Sequence, residues 1–312
     1  MFKKLTVVAL CCVLSVALFA GCGGSKEEGS EGKDGAKGYE PKELTVQFVP
    51  SQSADTLEAK AKPLEELLKD KLGIPVKVSV STDYNTVIEA MASKKIDVGF
   101  LPPTAYVIAH KKEAADVILQ AQRYGIKDDN TGENTDELVD FYHSIILVKK
   151  DSGIKDVKDL KGKKVAWQNV TSSAGYVWPA MELQKVGLDP QNDVEGVTMK
   201  GHDQAVLALL NGQVDAAAVF EDARNNIKKD YPNAFKDTVV LKKTAKIPND
   251  TISVRPDLTD EWKKKISDAF IEIGKDEKGK EIIRDVYSHE GYSPSKDSNF
   301  DTVREYEEEL GE

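Results

Sequence analysis

The chain has 312 residues, of which 40% are hydrophobic and 31% are charged, a balance typical of a globular protein with room for two domains of ordinary size. Its formal net charge of −10 argues against a nucleic-acid partner, and no basic, aromatic-rich patch interrupts the sequence. The same charge repels anions at long range, so any anionic ligand must be captured by local groups.

The N-terminal segment predicts an export signal. Two lysines precede an apolar run from Leu5 to Ala20, which is too short for a comfortable membrane-spanning helix, and Cys22 follows the run closely. All three cysteines of the chain lie in or beside this segment. We therefore expect a signal peptide over residues 1–22 and an exported body without disulfides, whose core alone supplies its stability.

The residues around Cys22 indicate a lipid anchor. Residues 18–22 read Leu-Phe-Ala-Gly-Cys, which resembles the bacterial lipobox with Phe19 where Leu is usual. In a lipobox the cysteine is lipidated and becomes the first residue of the mature protein; a plain signal peptide with an incidental cysteine is the alternative. Residues 23–41 are mainly Gly, Ser, Glu and Lys and predict a flexible tether. The expected location is extracytoplasmic, on the cell membrane.

The first globular segment alternates strands with helices. Residues 44–49 and 76–80 alternate apolar with polar side chains as strands do, and residues 96–101 predict a buried strand. Apolar residues at helical spacing run from Leu57 to Leu72 and recur over residues 87–91. This order favours an α/β layer structure with a largely parallel sheet.

A second set of alternating elements begins after Asp151. Strands are expected at 165–168, 194–199 and 214–220, with helices after Ser173 and at 203–210. Two similar lobes would follow from two such sets.

Two apolar, β-rich runs separate the sets, at residues 143–148 and 251–254. We interpret them as the two crossover strands of a hinge. The predicted lobes are then residues 42–145 plus 251–312 for lobe one, and residues 146–250 for lobe two.

Three successive hydroxyl residues, Thr171, Ser172 and Ser173, lie between a predicted strand and a helix that continues from Ala174. Hydroxyls and free backbone N–H groups at a helix start point the same way, and the helix dipole adds roughly half a positive charge there. This arrangement favours an oxyanion such as phosphate, phosphonate or sulfate. The alternative is an ordinary N-cap, where Ser and Thr are common.

An ordered set of short stretches carries a family resemblance. The stretches, in chain order, are Phe-Val-Pro-Ser at 48–51, Thr-Asp-Tyr at 82–84, Pro-Thr-Ala-Tyr at 103–106, Ser-Ser-Ala-Gly-Tyr at 172–176, Gly-His-Asp at 201–203, Val-Asp-Ala-Ala-Ala-Val at 214–219 and Ile-Pro-Asn-Asp at 247–250. With these, the chain resembles the phosphonate/phosphite-type substrate-binding proteins of ABC transporters over nearly all of the mature chain. The resemblance implies a two-lobed, type II periplasmic-binding fold that closes on its ligand by hinge motion.

The resemblance implies that the hydroxyl turn binds the oxygens of the anion. The family usually reads Ser-Thr-Ser-Gly there, whereas this chain reads Thr-Ser-Ser-Ala-Gly, so Ala174 offers only its backbone N–H. Neutral donors and dipoles can solvate a buried anion, so we expect no lysine or arginine to be needed. His202 matches the family's Gly-His-Asp motif and would donate to the oxyanion; a surface or capping histidine is the alternative.

The resemblance also implies acidic ligand contacts at Asp222 and Asp250, with Glu221 replacing Asp222 if the register shifts by one. Such a carboxylate would pair with an amino group of the ligand or accept a hydrogen bond from a protonated P–OH, and it would reject a fully ionised anion. Plain helix capping is the alternative for both.

Residues at the strand-to-helix junctions of lobe one complete the expected site. Tyr84 and Tyr106 would each offer a flat apolar wall and one O–H to a small ligand. Ser51 and the neighbouring Gln52 could donate from a helix start, whereas Trp167 lies inside a strand and is expected in the core.

The sequence offers no support for catalysis. It contains no HExxH, Walker, Gly-x-Gly-x-x-Gly or Gly-x-Ser-x-Gly motif and no cysteine–histidine cluster, so we expect neither enzymatic activity nor a metal or cofactor. The prediction is a monomeric, extracytoplasmic receptor of an ABC importer that binds a small phosphorus oxyanion, phosphonate or phosphite, and docks on a membrane permease. A receptor for another small anion, a sensor lipoprotein and an enzyme on the same fold remain the alternatives.

Overall fold

The computed structural model describes residues 38–311. The predicted signal peptide, Cys22 and most of the predicted tether lie outside the described residues. Within residues 38–311, no helix is both long enough and apolar enough to cross a membrane.

The described chain alternates strands with helices from its first strand onward. The strands are β1 Leu44–Phe48, β2 Val76–Val80, β3 Val98–Leu101, β4 Asp116–Ile126, β5 Asn134–Val139, β6 Phe141–Lys149, β7 Lys164–Trp167, β8 Glu195–Thr198, β9 Ala216–Phe220, β10 Thr238–Pro248, β11 Thr251–Val254 and β12 Gly291–Pro294. The α-helices are α1 Ala54–Ala61, α2 Leu64–Leu72, α3 Tyr84–Ala92, α4 Pro103–Lys111, α5 Trp178–Gln184, α6 His202–Leu210, α7 Ala234–Asp237, α8 Asp260–Ile273, α9 Glu277–Tyr287 and α10 Asp301–Gly311.

One sheet has seven strands in the order β12-β4-β11-β3-β1-β2, with β5 paired to β4. Strand β1 runs parallel to β2 and β3, because helices connect these strands and return the chain to the same end. Alternate residues of β1 are buried against the helices, and Phe48 stacks on Phe100 with ring centroids 4.1 Å apart. Strands β4, β11 and β12 extend the sheet in antiparallel fashion.

The other sheet has five strands in the order β10-β6-β9-β7-β8. Strand β7 runs parallel to β8 and β9, and the apolar residues of β9 (Ala216–Phe220) are buried except for the half-buried Phe220. Such continuous apolar runs are typical of strands that are covered on both faces. Trp167 at the end of β7 is 4% exposed and packs in this core.

The chain changes sheets twice. It passes from β5 to β6 at Asp140, and it returns between β10 and β11 through Asn249 and Asp250. Strand β6 lies wholly in the five-stranded sheet, so the first crossing precedes the predicted boundary at residue 145. The last helix contacts both halves, since Tyr306 of α10 stacks on Trp178 of α5 with centroids 4.5 Å apart.

Two helices differ from the predicted pattern. The apolar spacing from Leu57 to Leu72 predicted one helix, but Pro63 separates α1 from α2 because proline has no N–H to continue the ladder. The helix expected from Ala174 begins instead with a wide π-type turn, Ser173–Val177, before α5 starts at Trp178. π-type turns are often found at functional sites.

Candidate functional site

A small cavity of about 50 Å³ lies where the two sheets meet. Its walls come from loops and strand ends of both sheets, and the lining residues are Val49, Ser51, Gln52, Tyr84, Pro102, Arg123, Tyr142, Ser172, Ala174, His202, Phe220, Asn226, Asn249, Asp250, Tyr287, Ser288 and His289. Space for a single water needs roughly 10–15 Å³ on such a measure, so the cavity suits a ligand of a few heavy atoms.

The hydroxyl turn supplies one wall of the cavity. Of its three hydroxyl residues, Ser172 lines the cavity. The Ser172 Oγ accepts a hydrogen bond from Gly175 N at 3.1 Å, which leaves the Ser172 O–H free to donate elsewhere. Ser173 lies behind the wall, where its Oγ accepts from Thr104 N at 3.0 Å. Thr171 donates its hydroxyl to Asn169 Oδ1 at 2.8 Å.

The turn fits closely on the strand before it. A Cβ atom on Gly175 would lie 2.2 Å from Gln168 Cγ, so only glycine allows this approach. The Gln168 side chain also bonds twice to Gly201, as donor from Nε2 and acceptor at Oε1, both at 3.0 Å. The same side chain therefore fixes the hydroxyl turn and the start of α6.

His202 enters the cavity from the first turn of α6. Its backbone N–H donates to Ser51 O at 2.9 Å, across to the loop after β1. The preceding Gly201 has φ of +124°, and a Cβ there would lie 2.9 Å from the Gln52 carbonyl carbon. Burial lowers the pKa of His202 to about 3, so the ring is neutral at neutral pH. Its buried Nδ1 has no partner within the described residues.

The opposite wall presents Ser51, Tyr84 and Tyr287. The Ser51 Oγ is buried and makes no hydrogen bond in the described chain. Tyr287 donates its hydroxyl to Val49 O at 2.7 Å. Burial raises the pKa of Tyr84 above its usual range, with the Ser172 hydroxyl opposing the shift, so Tyr84 stays an O–H donor.

Asp250 lines the cavity at the second crossing between the sheets. Burial raises the pKa of Asp250 to about 7, and the nearby positive charge of Arg123 works against that rise. His289 Nε2 lies 3.9 Å from Asp250 Oδ2, and burial, then Arg123, lowers the pKa of His289 to about 3. The carboxyl therefore faces a neutral imidazole and is close to half protonated at neutral pH.

Arg123 on β4 reaches the cavity and forms an ion pair with Asp222, which follows β9. The Arg123 Nη2 lies 2.6 Å from Asp222 Oδ1, and the two side chains are only 8% and 6% exposed. Arg123 lines the cavity whereas Asp222 does not, so the arginine is the member of the pair that borders the space. An arginine therefore lies in the wall beside the neutral donors that were expected to solvate the anion without one.

Residues 46–300 match the family model of the periplasmic phosphonate substrate-binding proteins of ABC transporters. The chain belongs to this family. The family resemblance read from the sequence is thereby confirmed, and the mixed α/β, type II periplasmic-binding fold is confirmed by structural neighbours.

Relatives support the same family. The chain is 29% identical to the phosphate-import protein PhnD of Mycolicibacterium smegmatis over 226 residues, which cover 70% of this chain but 65%, just under two thirds, of that relative. It is 26% identical to the phosphonates-binding periplasmic protein of Escherichia coli over 262 residues, covering 83% of this chain and 73% of the relative. The fold is similar to PhnD1 of Prochlorococcus marinus in complex with methylphosphonate, with a TM-score of 0.74, 18% identity and coverage of 87% and 99% of the two chains.

The structure brings most of the predicted site residues of this family member to the cavity: Ser51, Tyr84, Ser172, Ala174, His202 and Asp250. Thr171, Ser173 and Asp222 lie behind its wall. Glu221 is engaged away from the cavity, with Oε2 at 3.2 Å from Lys243 Nζ.

The structure does not place Tyr106 at the cavity. It was expected to face the cleft, but its ring is fully buried and its hydroxyl donates to Asp297 Oδ1 at 2.8 Å. Its ring packs edge-on against Phe300, with centroids 4.9 Å apart. The sequence shows that Tyr106 lies in the first turn of α4, near a strand-to-helix junction. It does not show which side of that helix faces the cavity.

Several lining residues carried no recognisable signal in the sequence. They come from chain segments far from the predicted motifs, namely Arg123, Tyr287, Ser288 and His289. Asn249 adjoins the predicted Asp250 in the Ile-Pro-Asn-Asp stretch, and its Nδ2 donates to Ala121 O at 3.0 Å, so that stretch was the available clue.

The arrangement is suited to holding an oxyanion. It offers hydroxyl, imidazole and guanidinium donors around a small cavity, with one carboxyl whose pKa burial raises to about 7. Within residues 38–311, no cluster of three or more His, Cys, Asp or Glu side chains is placed to hold a metal ion.

Proposed function

We propose that the protein is the extracytoplasmic receptor of an ABC importer and that it captures a small phosphorus oxyanion, phosphonate or phosphite, in the cavity between the two sheets. The observation that carries this proposal is the convergence of donors from both sheets on a cavity of about 50 Å³. The activities for which the relatives are named, import of phosphate and binding of phosphonates, agree with it.

The donors supply what such an anion needs. The hydroxyls of Ser51, Ser172 and Tyr84 and the neutral ring of His202 would each donate to an oxygen, and Arg123 would add a charge-assisted bond. Leaving a buried polar group unpaired costs about 1–3 kcal/mol, and this applies to Ser51 Oγ and His202 Nδ1 in the described chain. A bound oxyanion would remove that cost.

Closure would occur by rotation about the two crossings, near Asp140 and Asp250. Direct bonds between the halves support a closed form: Asn169 Nδ2 donates to Asp83 Oδ2 at 2.7 Å, and Thr104 N donates to Ser173 Oγ at 3.0 Å. A ligand that bridges both walls would add to these bonds and shift the population toward the closed form.

Calorimetry with methylphosphonate, phosphite, phosphate and sulfate tests the proposal. We expect micromolar or tighter binding of at least one phosphorus anion at pH 7. Sulfate should bind more weakly at and above this pH, where a growing fraction of Asp250 is ionised, because sulfate has no proton to share with that carboxylate. Binding of sulfate in preference to every phosphorus anion would contradict the ligand class. Turnover of any bound anion would contradict a receptor without enzymatic activity.

The remaining parts of the proposal concern location and partners. Lipidated Cys22 would anchor the mature protein to the cell membrane, residues 23–41 would act as a tether, and the closed monomer would dock on the membrane permease. Cys22→Ser in the full chain should release the protein from cells into the medium. Retention of the Cys22→Ser protein on membranes would argue against the lipid anchor.

A further inference from the structure

The Arg123–Asp222 ion pair joins the two halves of the molecule at the wall of the cavity. Arg123 belongs to the seven-stranded sheet and Asp222 follows a strand of the five-stranded sheet. The 2.6 Å contact buries both charged groups, and Ser288 Oγ also donates to Asp222 Oδ2 at 3.4 Å. The negative charge of Asp222 is therefore neutralised from within the chain.

The other acidic residues near the cavity do not supply the negative charge that Arg123 neutralises on Asp222. Asp250 is the one acidic residue among those that line the cavity in the described chain, and its burial drives it toward the neutral form. Glu221 is held by Lys243 at 3.2 Å and accepts from His143 N at 3.2 Å. An incoming cation would meet the Arg123 guanidinium before it met a fully ionised carboxylate.

Like charges repel more strongly in a buried setting than in bulk water, so this arrangement selects against a ligand that carries an ammonium group. We propose that Arg123 is a specificity-determining residue, which shields Asp222 and restricts the site to compact phosphorus oxyanions without an amino substituent. The inference rests on the proposed function, because it names which members of that ligand class bind.

The same geometry predicts how the preference can be reversed. Truncating Arg123 would open space beside the cavity and leave Asp222 as a buried, uncompensated carboxylate. The ammonium group of 2-aminoethylphosphonate would then occupy the place of the guanidinium and pair with Asp222. A ligand with a neutral substituent of similar length would fit into the added space but would form no ion pair with Asp222.

Calorimetric titration with methylphosphonate and 2-aminoethylphosphonate tests this, using wild type, Arg123→Ala, Arg123→Lys and the double variant Arg123→Ala/Asp222→Asn. Wild type and Arg123→Lys should bind methylphosphonate at least about tenfold more tightly than the amino compound. Arg123→Ala should reverse the order. The double variant has the same added space but no free carboxylate, and it should lose the gain for the amino compound.

Equal or tighter binding of 2-aminoethylphosphonate by wild type would overturn the inference, even if Arg123→Ala does not fold. So would a double variant that binds the amino compound as tightly as Arg123→Ala does, since the gain would then come from space alone. If wild type binds neither compound, nor phosphite or phosphate, the proposed function itself fails, which is a separate result.

Discussion

Gln168 and Gly201 are joined by two hydrogen bonds of 3.0 Å, with the side-chain amide of Gln168 pairing to both the N–H and the C=O of Gly201. Gln168 is 2% exposed and directly follows β7, whereas Gly201 directly precedes α6. The pair sets the distance between the hydroxyl turn and His202, which are the two main donor groups of the five-stranded sheet. Gln168 therefore positions both groups although it does not line the cavity.

Gln168→Ala should therefore weaken both folding and binding. The substitution leaves the buried N–H of Gly201 without a partner, at about 1–3 kcal/mol, and leaves its C=O with only the bond from Ala205 N at 3.2 Å. We expect a lower denaturation midpoint and a loss of affinity for methylphosphonate of about tenfold or more. Gln184→Ala, at the end of α5, is the surface control. Unchanged affinity in a folded Gln168→Ala protein would show that Gly201 is held by other contacts.

Gly175→Ala should destabilise the hydroxyl turn. The added Cβ would lie 2.2 Å from Gln168 Cγ and 2.4 Å from Gln168 Cβ, so the turn must move away from β7. Overpacking of this kind costs about 1–3 kcal/mol. Chemical denaturation measures the loss, with Gly311→Ala as a control, because no atom lies within 4 Å of a Cβ there. Equal stability of the two variants would contradict the close fit.

Ser172 and Ser173 should respond differently to substitution. Ser172→Ala removes a donor from the cavity wall and should weaken methylphosphonate binding by about tenfold, because hydrogen bonds to charged groups contribute about 1.5–3 kcal/mol. Ser173→Ala removes the contact with Thr104, whose Oγ1 lies 2.8 Å from Ser173 Oγ, and should act through closure instead.

A double-mutant cycle separates these two roles. The effects of Ser173→Ala and Thr104→Val on affinity should be coupled by about 0.5 kcal/mol or more, whereas Ser172→Ala and Thr104→Val should be additive. Calorimetry on the wild type, the three single variants and the two double variants provides the measurement. Additive effects at Ser173 and Thr104 would mean that this contact does not contribute to closure.

The pH dependence of binding should follow Asp250. The groups that face it are Arg123, His289 and the hydroxyls of Tyr84, Tyr142, Tyr287 and Tyr292. Burial raises the pKa of Asp250 to about 7, and an anion favours the protonated carboxyl. Affinity for methylphosphonate should then be constant below pH 7 and fall above it, by at most about tenfold per unit.

The same pKa has a consequence for stability. The unfolded chain ionises this carboxyl near pH 4, whereas the folded chain resists ionisation up to about pH 7, so the ligand-free protein should lose stability as pH rises through that interval. Asp250→Asn is the control for both measurements, because it keeps the shape and removes the titration. An Asp250→Asn protein with the wild-type pH profiles would assign the effect to another group or to the ligand itself.

Local patterns were sufficient for much of the fold. The alternation in β1 and the helical spacing in α8 both reflect burial of one face, and this is written into adjacent residues, so the element types and the α/β class follow from them. Pro63 divides one predicted helix into two. The apolar spacing continues across this proline, so spacing alone does not reveal that a backbone N–H is missing there. The hydroxyl turn and the histidine of α6 were found because each lies at a junction between a strand or loop and a helix.

By itself, the sequence determined the two sets of alternating elements, the short family motifs and the cavity residues that belong to them. The tertiary structure decided that Arg123 lines the cavity and that Tyr106 does not. It also decided that the last residue of α9, Tyr287, and His289 just after the helix line the cavity. The physical reason is that these placements depend on which strand edges and helix ends pack together across more than a hundred residues of chain. Side-chain periodicity records which face of an element is buried, but not which distant element covers it.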